Sequence, residues 1–332
     1  CALEMRPYSA ETPFSRPAAP VKDLALAVLA HPDVARKDWV YEQYDKEVQL
    51  RTVSFQHDAA VLRLEGKALV LSCGCNPRHI YLRPREGTAN AVVENASNLA
   101  CLGAEPLCIL DCLNFASPEH PEVAWQLEEA VLGLGDAARR MGIPVVGGNV
   151  SLYNESDEFG TAIKPTPSLG MIGRGEVREW TAPAEGDLLA LIGRTSPDFG
   201  GSVLDAVTGC GGPAPGAADP AAVGLVRELV RDGRVTAATD LSRGGLLAAL
   251  AKFAPRGDVS LAGDPVEALF AETCGRFLVA ARDEAVLAGV EHRTIGTAGG
   301  DALILRLRDG TVSIAPAEME TALSATTRLM RY

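Results

Sequence analysis

The sequence predicts a two-domain protein that joins an α/β domain to an α+β domain. The chain has 332 residues, which is more than one compact core usually needs. Strand and helix patterns alternate through the first half, as they do in layered α/β and α+β domains. The composition changes at 174–186 (RGEVREWTAPAEG), and new strand patterns follow. We therefore expect an arm over residues 1–21, an N-terminal domain over 22–174 and a C-terminal domain over 186–332.

The elements of the first domain follow from local patterns. Pro, Ala and Ser dominate the arm, as in extended linkers. Glycines are expected to end the two long helices. In chain order we predict a helix at 21–30, strands at 59–64 and 68–72 joined by a hairpin turn, a helix at 88–102, a strand at 106–110, a helix at 121–141, and strands at 143–146 and 169–172.

The second domain repeats the mixture of strands and helices. We expect Ser242 to cap the helix at 246–253, with the amides of Gly244 and Gly245 near its positive end. The remaining predictions are a strand at 187–192, a Gly/Pro/Ala-rich loop at 209–220, a helix at 221–232, and strands at 277–280 and 302–305.

Composition excludes several classes of protein. The net charge is −12, and no segment is basic enough to indicate a nucleic-acid partner. No run of eighteen apolar residues predicts a membrane span. The eight cysteines lie mostly in apolar surroundings and lack zinc spacing, which indicates buried thiols in a reducing cytoplasm. The chain starts at Cys1 rather than Met, which suggests a fragment or a processed chain.

The most informative segment runs from Pro144 to Gly173. The apolar strand at 143–146 enters Gly147-Gly148, and the polar residues Asn149, Ser151, Asn154 and Ser156 follow. A Gly-Gly turn lets backbone N–H groups approach an anion, and amide and hydroxyl groups can bind phosphate or a hard metal ion. An ordinary strand-to-loop turn explains the glycines equally simply. The clustered polar groups, and a second turn at 165–167, favour a ligand site.

Three further sets of polar residues allow two interpretations each. Asp111 follows a strand and could contact a nucleotide, or could cap a turn at Asn114. Glu94 and Asn98 share a helix face and could ligate magnesium, or could form a partly solvated surface. Asp240-Leu-Ser-Arg-Gly-Gly245 could form a metal–phosphate site or simply begin a helix.

The pair His57-Asp58 resembles part of an acid–base arrangement, but a lone His beside an Asp is more typical of a turn. No nucleophile–histidine arrangement and no phosphate-binding P-loop pattern occurs.

Together the motifs resemble one family. The chain is similar to the C-terminal half of the synthetase subunits of phosphoribosylformylglycinamidine synthases, which belong to the aminoimidazole ribonucleotide synthetase-like superfamily. The resemblance extends from about residue 22 to the end. The motifs that carry it are WVYEQYD at 39–45, DAAVLR at 58–63, CNPR at 75–78, DCLNF at 111–115, GNVSLYNE at 148–155, TP at 166–167, DLSRGG at 240–245 and GRF at 275–277.

The resemblance implies a fold and a reaction. Each unit of the family has an N-terminal α/β domain and a C-terminal α+β domain, and units pair through their N-terminal domains. The implied enzyme is an ATP-dependent ligase of purine biosynthesis. It converts formylglycinamide ribonucleotide (FGAR) and glutamine-derived ammonia into formylglycinamidine ribonucleotide (FGAM), with release of ADP and phosphate. A glutaminase subunit, a small bridging subunit and an N-terminal synthetase half are the implied partners.

The resemblance also assigns residues. Asp111 and Gly148 would contact ATP, Asn149 would hold Mg²⁺, and Ser151 would touch the ribonucleotide. Larger relatives have an auxiliary nucleotide site at positions matching Glu94, Asn98 and Asp240. Gly74 stands where those relatives place an acidic ligand, so a tight auxiliary site is not expected here.

The family's catalytic histidines lie in the other half, and this chain offers none in the corresponding strand. We therefore expect it to supply part of a composite active site and to be inactive alone. Two alternatives remain: a non-catalytic docking half with an auxiliary nucleotide site, and a self-contained ATP-dependent synthetase or kinase of the same superfamily.

Overall fold

The computed structural model describes residues 4–55, 57–156, 158 and 160–330. The first three residues of the predicted arm, which include Cys1, lie outside the described residues. The last two residues of the predicted second domain, 331–332, also lie outside them. In that part of the chain no helix is both long enough and apolar enough to cross a bilayer.

Two large sheets and eleven α-helices make up the described chain. The strands are β1 (Thr52–Ser54), β2 (Ala60–Leu64), β3 (Lys67–Gly74), β4 (Glu105–Asn114), β5 (Val145–Ser151), β6 (Glu155–Ser156), β7 (Thr161–Ala162), β8 (Thr166–Gly175), β9 (Leu188–Ile192), β10 (Ala237–Leu241), β11 (Gly257–Ser260), β12 (Arg276–Ala281), β13 (His292–Ala298), β14 (Leu303–Leu307) and β15 (Gly310–Ile314). The helices are α1 (Val21–Ala30), α2 (Asp38–Tyr41), α3 (Pro77–Leu82), α4 (Pro84–Ala100), α5 (Pro121–Met141), α6 (Val203–Thr208), α7 (Ala221–Arg231), α8 (Gly245–Phe253), α9 (Pro265–Phe270), α10 (Pro316–Leu323) and α11 (Ala325–Met330).

The first sheet has the order β1-β2-β3-β8-β4-β5. Only β4 and β5 run parallel, and β5 forms the edge. The predicted hairpin joins β2 and β3 through Glu65 and Gly66, whose φ angles of 48° and 81° match the turn that suits strand twist. Helix α5 has the predicted bounds and ends at Gly142, which is left-handed with φ 67°.

One face of this sheet is covered by helices. Ala68, Val70, Leu169 and Met171 are buried with residues of α4 in a shared core. Residues that alternate with them, such as Leu71 and Ile172, are only partly buried. The sheet therefore has one dry face and one open face.

The second sheet has the order β10-β12-β9-β13-β11-β14-β15. Its apolar residues contribute to two cores. One contains residues of α8, and the other joins Ala190, Ile192 and Phe277 to side chains of the first sheet and α4. The sheets are separated in sequence by residues 176–187, and α1 packs against α6 and α10 of the second half. The domain limits given above stay a prediction.

The structure corrects several sequence-based expectations. Gly147 and Gly148 do not form a turn, because β5 continues through them to Ser151 and neither has a positive φ. The strand is not buried either, since an edge strand has a neighbour on one side only and six of its residues are exposed. Asp111 lies within β4 rather than after it. The expected turn at 165–167 is mostly strand, because β8 begins at Thr166.

Candidate functional site

The candidate site is built on the parallel strands β4 and β5. Their register pairs Asp111 with Gly148, Cys112 with Asn149, and Asn114 with Ser151. All four residues assigned by resemblance therefore lie on two neighbouring strands at the sheet edge. Sequence separation alone could not bring them together, since helix α5 lies between the two strands.

Gly148 leaves room for the carboxylate of Asp111. A Cβ at position 148 would lie 2.3 Å from Asp111 Oδ2 and 2.4 Å from Oδ1. Contacts that short are impossible, so any other residue would force the carboxylate to turn away. The glycine is required by a side chain beside it, and not by a turn.

The carboxylate of Asp111 is available for a ligand. It has no hydrogen-bond or ion-pair partner among the residues that the structure describes, and it is partly buried. Burial raises the pKa of Asp111 above its ordinary value, because the charged form loses water. A donor N–H or O–H from a ligand would compensate that loss.

Asn149 and Ser151 point to the other face of the sheet. Successive strand residues alternate in direction. Asp111 therefore lies on the helix-covered face, whereas Asn149 and Ser151 lie on the open face together with Cys112. Asn149 Nδ2 contacts Cys112 Sγ at 3.9 Å, and no described residue donates a hydrogen bond to its amide oxygen. Ser151 Oγ donates to Asn154 Oδ1 at 3.2 Å, which leaves its own oxygen able to accept. The site thus wraps around the edge strand.

The loop after β5 holds this edge in place. Asn154 Nδ2 donates to the carbonyl oxygens of Phe115 and Ser151 at 2.9 Å and 2.8 Å. Tyr153 has a positive φ of 60°, and its N–H donates to Ala116 O at 3.3 Å. Asn154, which the sequence grouped with the ligand residues, is therefore a structural residue of the loop.

Exposed apolar side chains surround the site. Val145, Val146 and Val150 on β5 are 41%, 61% and 56% exposed, and Leu110 on β4 is 40% exposed. An edge strand with free backbone groups and apolar side chains is a surface for association.

A second group of acidic residues lies between the two halves. Thr239 Oγ1 donates to Asp58 Oδ1 at 3.1 Å. Burial raises the pKa of Asp58 to about 6 and also raises the pKa of Glu94. Burial, together with the nearby carboxyls of Asp58 and Glu94, raises the pKa of Asp240 well above its ordinary value.

The helix start at Gly244-Gly245 is already occupied by protein groups. Gly244 N–H donates to Glu272 Oε1 at 2.7 Å, and Gly245 N–H donates to Ser242 O at 3.0 Å. No side chain caps α8, so the capping role expected for Ser242 is wrong. The amides that were expected to face an anion are directed to the protein instead.

The described residues contain no group of three or more His, Cys, Asp or Glu side chains arranged to hold a metal ion. Gly74 explains part of this, because its Cβ position lies 3.8 Å from Glu94 Oε1. A carboxylate at position 74 would have stood beside Glu94. That no tight auxiliary metal site forms here stays a prediction.

One cavity, of about 840 Å³, was not anticipated from the sequence. It lies beside the acidic group, with Lys37, Tyr41, Trp180 and Lys252 in its wall. His57 lies in the wall too, stacked on Trp180 with ring centroids 3.5 Å apart. Of the aromatic residues at 39–44, Tyr41 lines this cavity.

Two family descriptions match the chain. Residues 56–175 match "AIR synthase related protein, N-terminal domain", and residues 184–296 match "AIR synthase related protein, C-terminal domain". These matches confirm the fold class predicted from the sequence, an α/β domain followed by an α+β domain.

Curated relatives are similar over most of this chain. "Phosphoribosylformylglycinamidine synthase subunit PurL" of Methanosarcina mazei is 46% identical over 332 residues, which cover 93% of this chain and 46% of that protein. The subunit of the same name from Thermococcus gammatolerans is 42% identical, with 91% and 45% covered. The chain spans about half the length of the curated relatives it matches.

Solved structures share the fold. "T. maritima PurL complexed with FGAR" superposes with a TM-score of 0.73 at 18% identity, covering 92% of this chain and 54% of that one. "T. maritima PurL complexed with ATP" gives 0.67 at 18% identity, with 90% and 52% covered. A chain in the "HypE-HypF complex" gives 0.61 at 18% identity, with 84% and 97% covered.

Proposed function

The chain belongs to the AIR synthase related family, and we propose that it forms the second half of an ATP-dependent synthetase of purine biosynthesis. The complete enzyme would convert FGAR, ATP and ammonia into FGAM, ADP and phosphate. The resemblance of the motifs to second-half sequences supports the choice of half. The cysteines support a cytoplasmic location, because the seven in the described residues are all free thiols.

One observation carries the proposal: the β4–β5 register gathers Asp111, Gly148, Asn149 and Ser151 at an open apolar edge. A ligand bound at this edge would be enclosed only when another surface covers it. The other synthetase half is the partner we propose, supplying the catalytic histidine that this half lacks.

The chemistry of Asp111 limits what it can contact. A carboxylate repels phosphate groups, so a direct contact to ATP would be with a donor on the base or the ribose, whereas a contact to phosphate would need a bridging metal ion. Because Gly148 has no side chain, the carboxylate lies flat against the edge strand and reaches the open rim. We propose that these two residues orient the nucleoside end of ATP.

Asn149 and Ser151 would act on the opposite face. The amide oxygen of Asn149 suits Mg²⁺, which typically takes one or two protein oxygens and completes its shell with phosphates and water. Ser151 Oγ is two residues further along the same face and would hydrogen-bond the ribonucleotide. ATP supplies a phosphoryl group that activates the formamide oxygen as a leaving group. The residues of this chain hold the reactants in line while ammonia attacks the carbon.

Ammonia would come from a glutaminase subunit, with a small bridging subunit between the two. The absence of a carboxylate at position 74, beside Glu94, argues against an auxiliary magnesium–nucleotide site here. It also argues against a self-contained kinase or synthetase, which would need an acidic metal cluster of its own.

The test compares two asparagines in a reconstituted complex of both halves. Asn149→Ala should lower FGAM formation by two or more orders of magnitude and raise the Mg²⁺ concentration needed for half activity. Asn98→Ala removes an equal amide from the auxiliary position and should leave activity unchanged. Turnover by this chain alone, or loss only in Asn98→Ala, would refute the proposal.

A further inference from the structure

A second cleft opens at the far end of the first sheet, where the two halves of the chain meet. It measures about 450 Å³ and is lined by the start of β3, the end of β8, the start of β4, and helix α7. Asp111 lies six residues along β4 from Glu105 at this cleft, which is roughly 20 Å of extended strand. The cleft is therefore separate from the candidate nucleotide site.

The cleft is basic in a strongly acidic protein. Its cations come from both halves of the chain, whereas its acids are only Glu105 and Glu176, in a molecule of net charge −12. The five cations are Lys67, Arg174, Arg178, Arg227 and Arg231. Concentrating like charges without a counterion is unfavourable, so the arrangement indicates a bound anion.

The bonds within the cleft leave donors unused. Arg178 Nη1 donates to Val230 O at 2.6 Å, which fixes its guanidinium at the wall. Arg174 is 3.7 Å from Glu105, which is too long for a strong pair. Arg227 Nε is buried and has no hydrogen-bond partner among the described residues. A buried donor without a partner is costly, and an oxyanion would satisfy it.

Helix polarity does not explain the cluster. Arg231 is in the last turn of α7, where a cation compensates the negative helix end. Arg227 is one turn earlier on the same helix face, and Lys67 approaches from a hairpin in the other half. The ammonium group of Lys67 has no hydrogen bond or ion pair to another described residue.

We propose that this cleft binds the phosphate group of a phosphorylated small molecule. Arginine forks match phosphate oxygens through paired, charge-assisted hydrogen bonds. Five cations and two carboxylates line the cleft, and Asp232 pairs with Arg231 at 3.3 Å. The remaining excess of two positive charges suits a phosphate dianion better than a single carboxylate. The volume admits a sugar phosphate or a pyrophosphate, but not a nucleic-acid duplex.

The test is calorimetric titration of the full chain with sodium pyrophosphate in magnesium-free buffer. Arg227→Gln and Lys67→Gln each remove one charge from opposite walls. Arg308→Gln removes one from an exposed residue paired with Asp309 outside the cleft. Melting temperatures of all three should match that of the wild type, which shows that they fold.

Roughly tenfold weaker binding is expected in Arg227→Gln, with a loss in Lys67→Gln in the same direction, while Arg308→Gln binds like the wild type. Binding at the β5 edge would persist in Arg227→Gln, so the two sites are distinguishable. The proposal is overturned if the wild type does not bind, if Arg227→Gln binds normally, or if all three variants weaken equally. Tighter binding of a tricarboxylate than of pyrophosphate would also overturn it.

Discussion

Replacing Gly148 by Ala should separate nucleotide binding from folding. The new Cβ would stand 2.3 Å from Asp111 Oδ2, so the carboxylate must rotate away from the edge. Gly147 is the adjacent glycine of the same strand, and a Cβ there meets nothing within 4 Å. Gly147→Ala is therefore a control with the same chemistry and no displacement.

The substitution should change ATP affinity more than it changes the free energy of unfolding. Turning Asp111 away costs about 1 kcal/mol of rotamer energy. Gly→Ala in a strand recovers a similar amount of backbone entropy, about 0.5–1 kcal/mol. The free energy of unfolding should thus change by less than about 1 kcal/mol. Losing a hydrogen bond to the charged carboxylate should cost roughly 1.5–3 kcal/mol of binding, which is about ten- to a hundredfold in ATP affinity.

The assay is calorimetric titration of ATP and magnesium into the complex of both halves, with urea unfolding of each variant in parallel. We expect Gly148→Ala to lose affinity at unchanged stability, and Gly147→Ala to match the wild type. Asp111→Gly combined with Gly148→Ala removes the clash and the carboxylate together, so it should bind as weakly as Gly148→Ala alone. Normal ATP affinity in Gly148→Ala, or an equal loss in Gly147→Ala, would refute the reasoning.

Three further outcomes are expected. Burial raises the pKa of Glu272 to about 7, so its ionisation opposes folding as the pH rises. The free energy of unfolding of Glu272→Gln should therefore increase by about 2 kcal/mol relative to that of the wild type between pH 5 and pH 8. A difference in urea midpoint that does not depend on pH would contradict this. Gly133→Ala brings a Cβ to 2.1 Å from a backbone carbonyl oxygen of α4 and should destabilise by about 1–3 kcal/mol. In Gly135→Ala the new Cβ would contact only the flexible end of an arginine side chain at 3.2 Å, so this variant should be neutral or stabilising. A similar loss of stability in Gly133→Ala and Gly135→Ala would show that the helices do not pack as described. Val146→Lys at the open edge should weaken association with the other synthetase half more than tenfold without changing the melting temperature. Val131→Lys, at another exposed valine on α5, should leave association unchanged. Sedimentation of the mixed halves measures this, and equal association of both variants would exclude β5 as the interface.

Local patterns predicted most of the elements. Helix α5 and the β2–β3 hairpin depend on signals within a few residues, namely helical spacing closed by Gly142 and a turn at Glu65-Gly66. Short-range rules are sufficient for such segments. The start of α4 was placed a turn too late, since Pro84 at its first position was not used as a start signal.

The failures occurred where a neighbour in space decides the conformation. Gly147-Gly148 is a turn by composition, but pairing with β4 holds it extended. Ser242 is a capping residue by type, but the carboxylate of Glu272, distant in sequence, takes the amide of Gly244. The large cavity and the basic cleft combine segments far apart in the chain, so no window of sequence contains them.

The sequence by itself determined the family, the order of the elements and which residue types are available at the site, because periodicity and motifs are properties of contiguous residues. Only the tertiary structure decided that Asp111 faces one side of the edge strand while Asn149 and Ser151 face the other. It also decided that the carboxyls of Asp58 and Asp240 are buried, which raises the pKa of both. Strand register and burial depend on contacts between distant segments, and these set both the direction of a side chain and the cost of its charge.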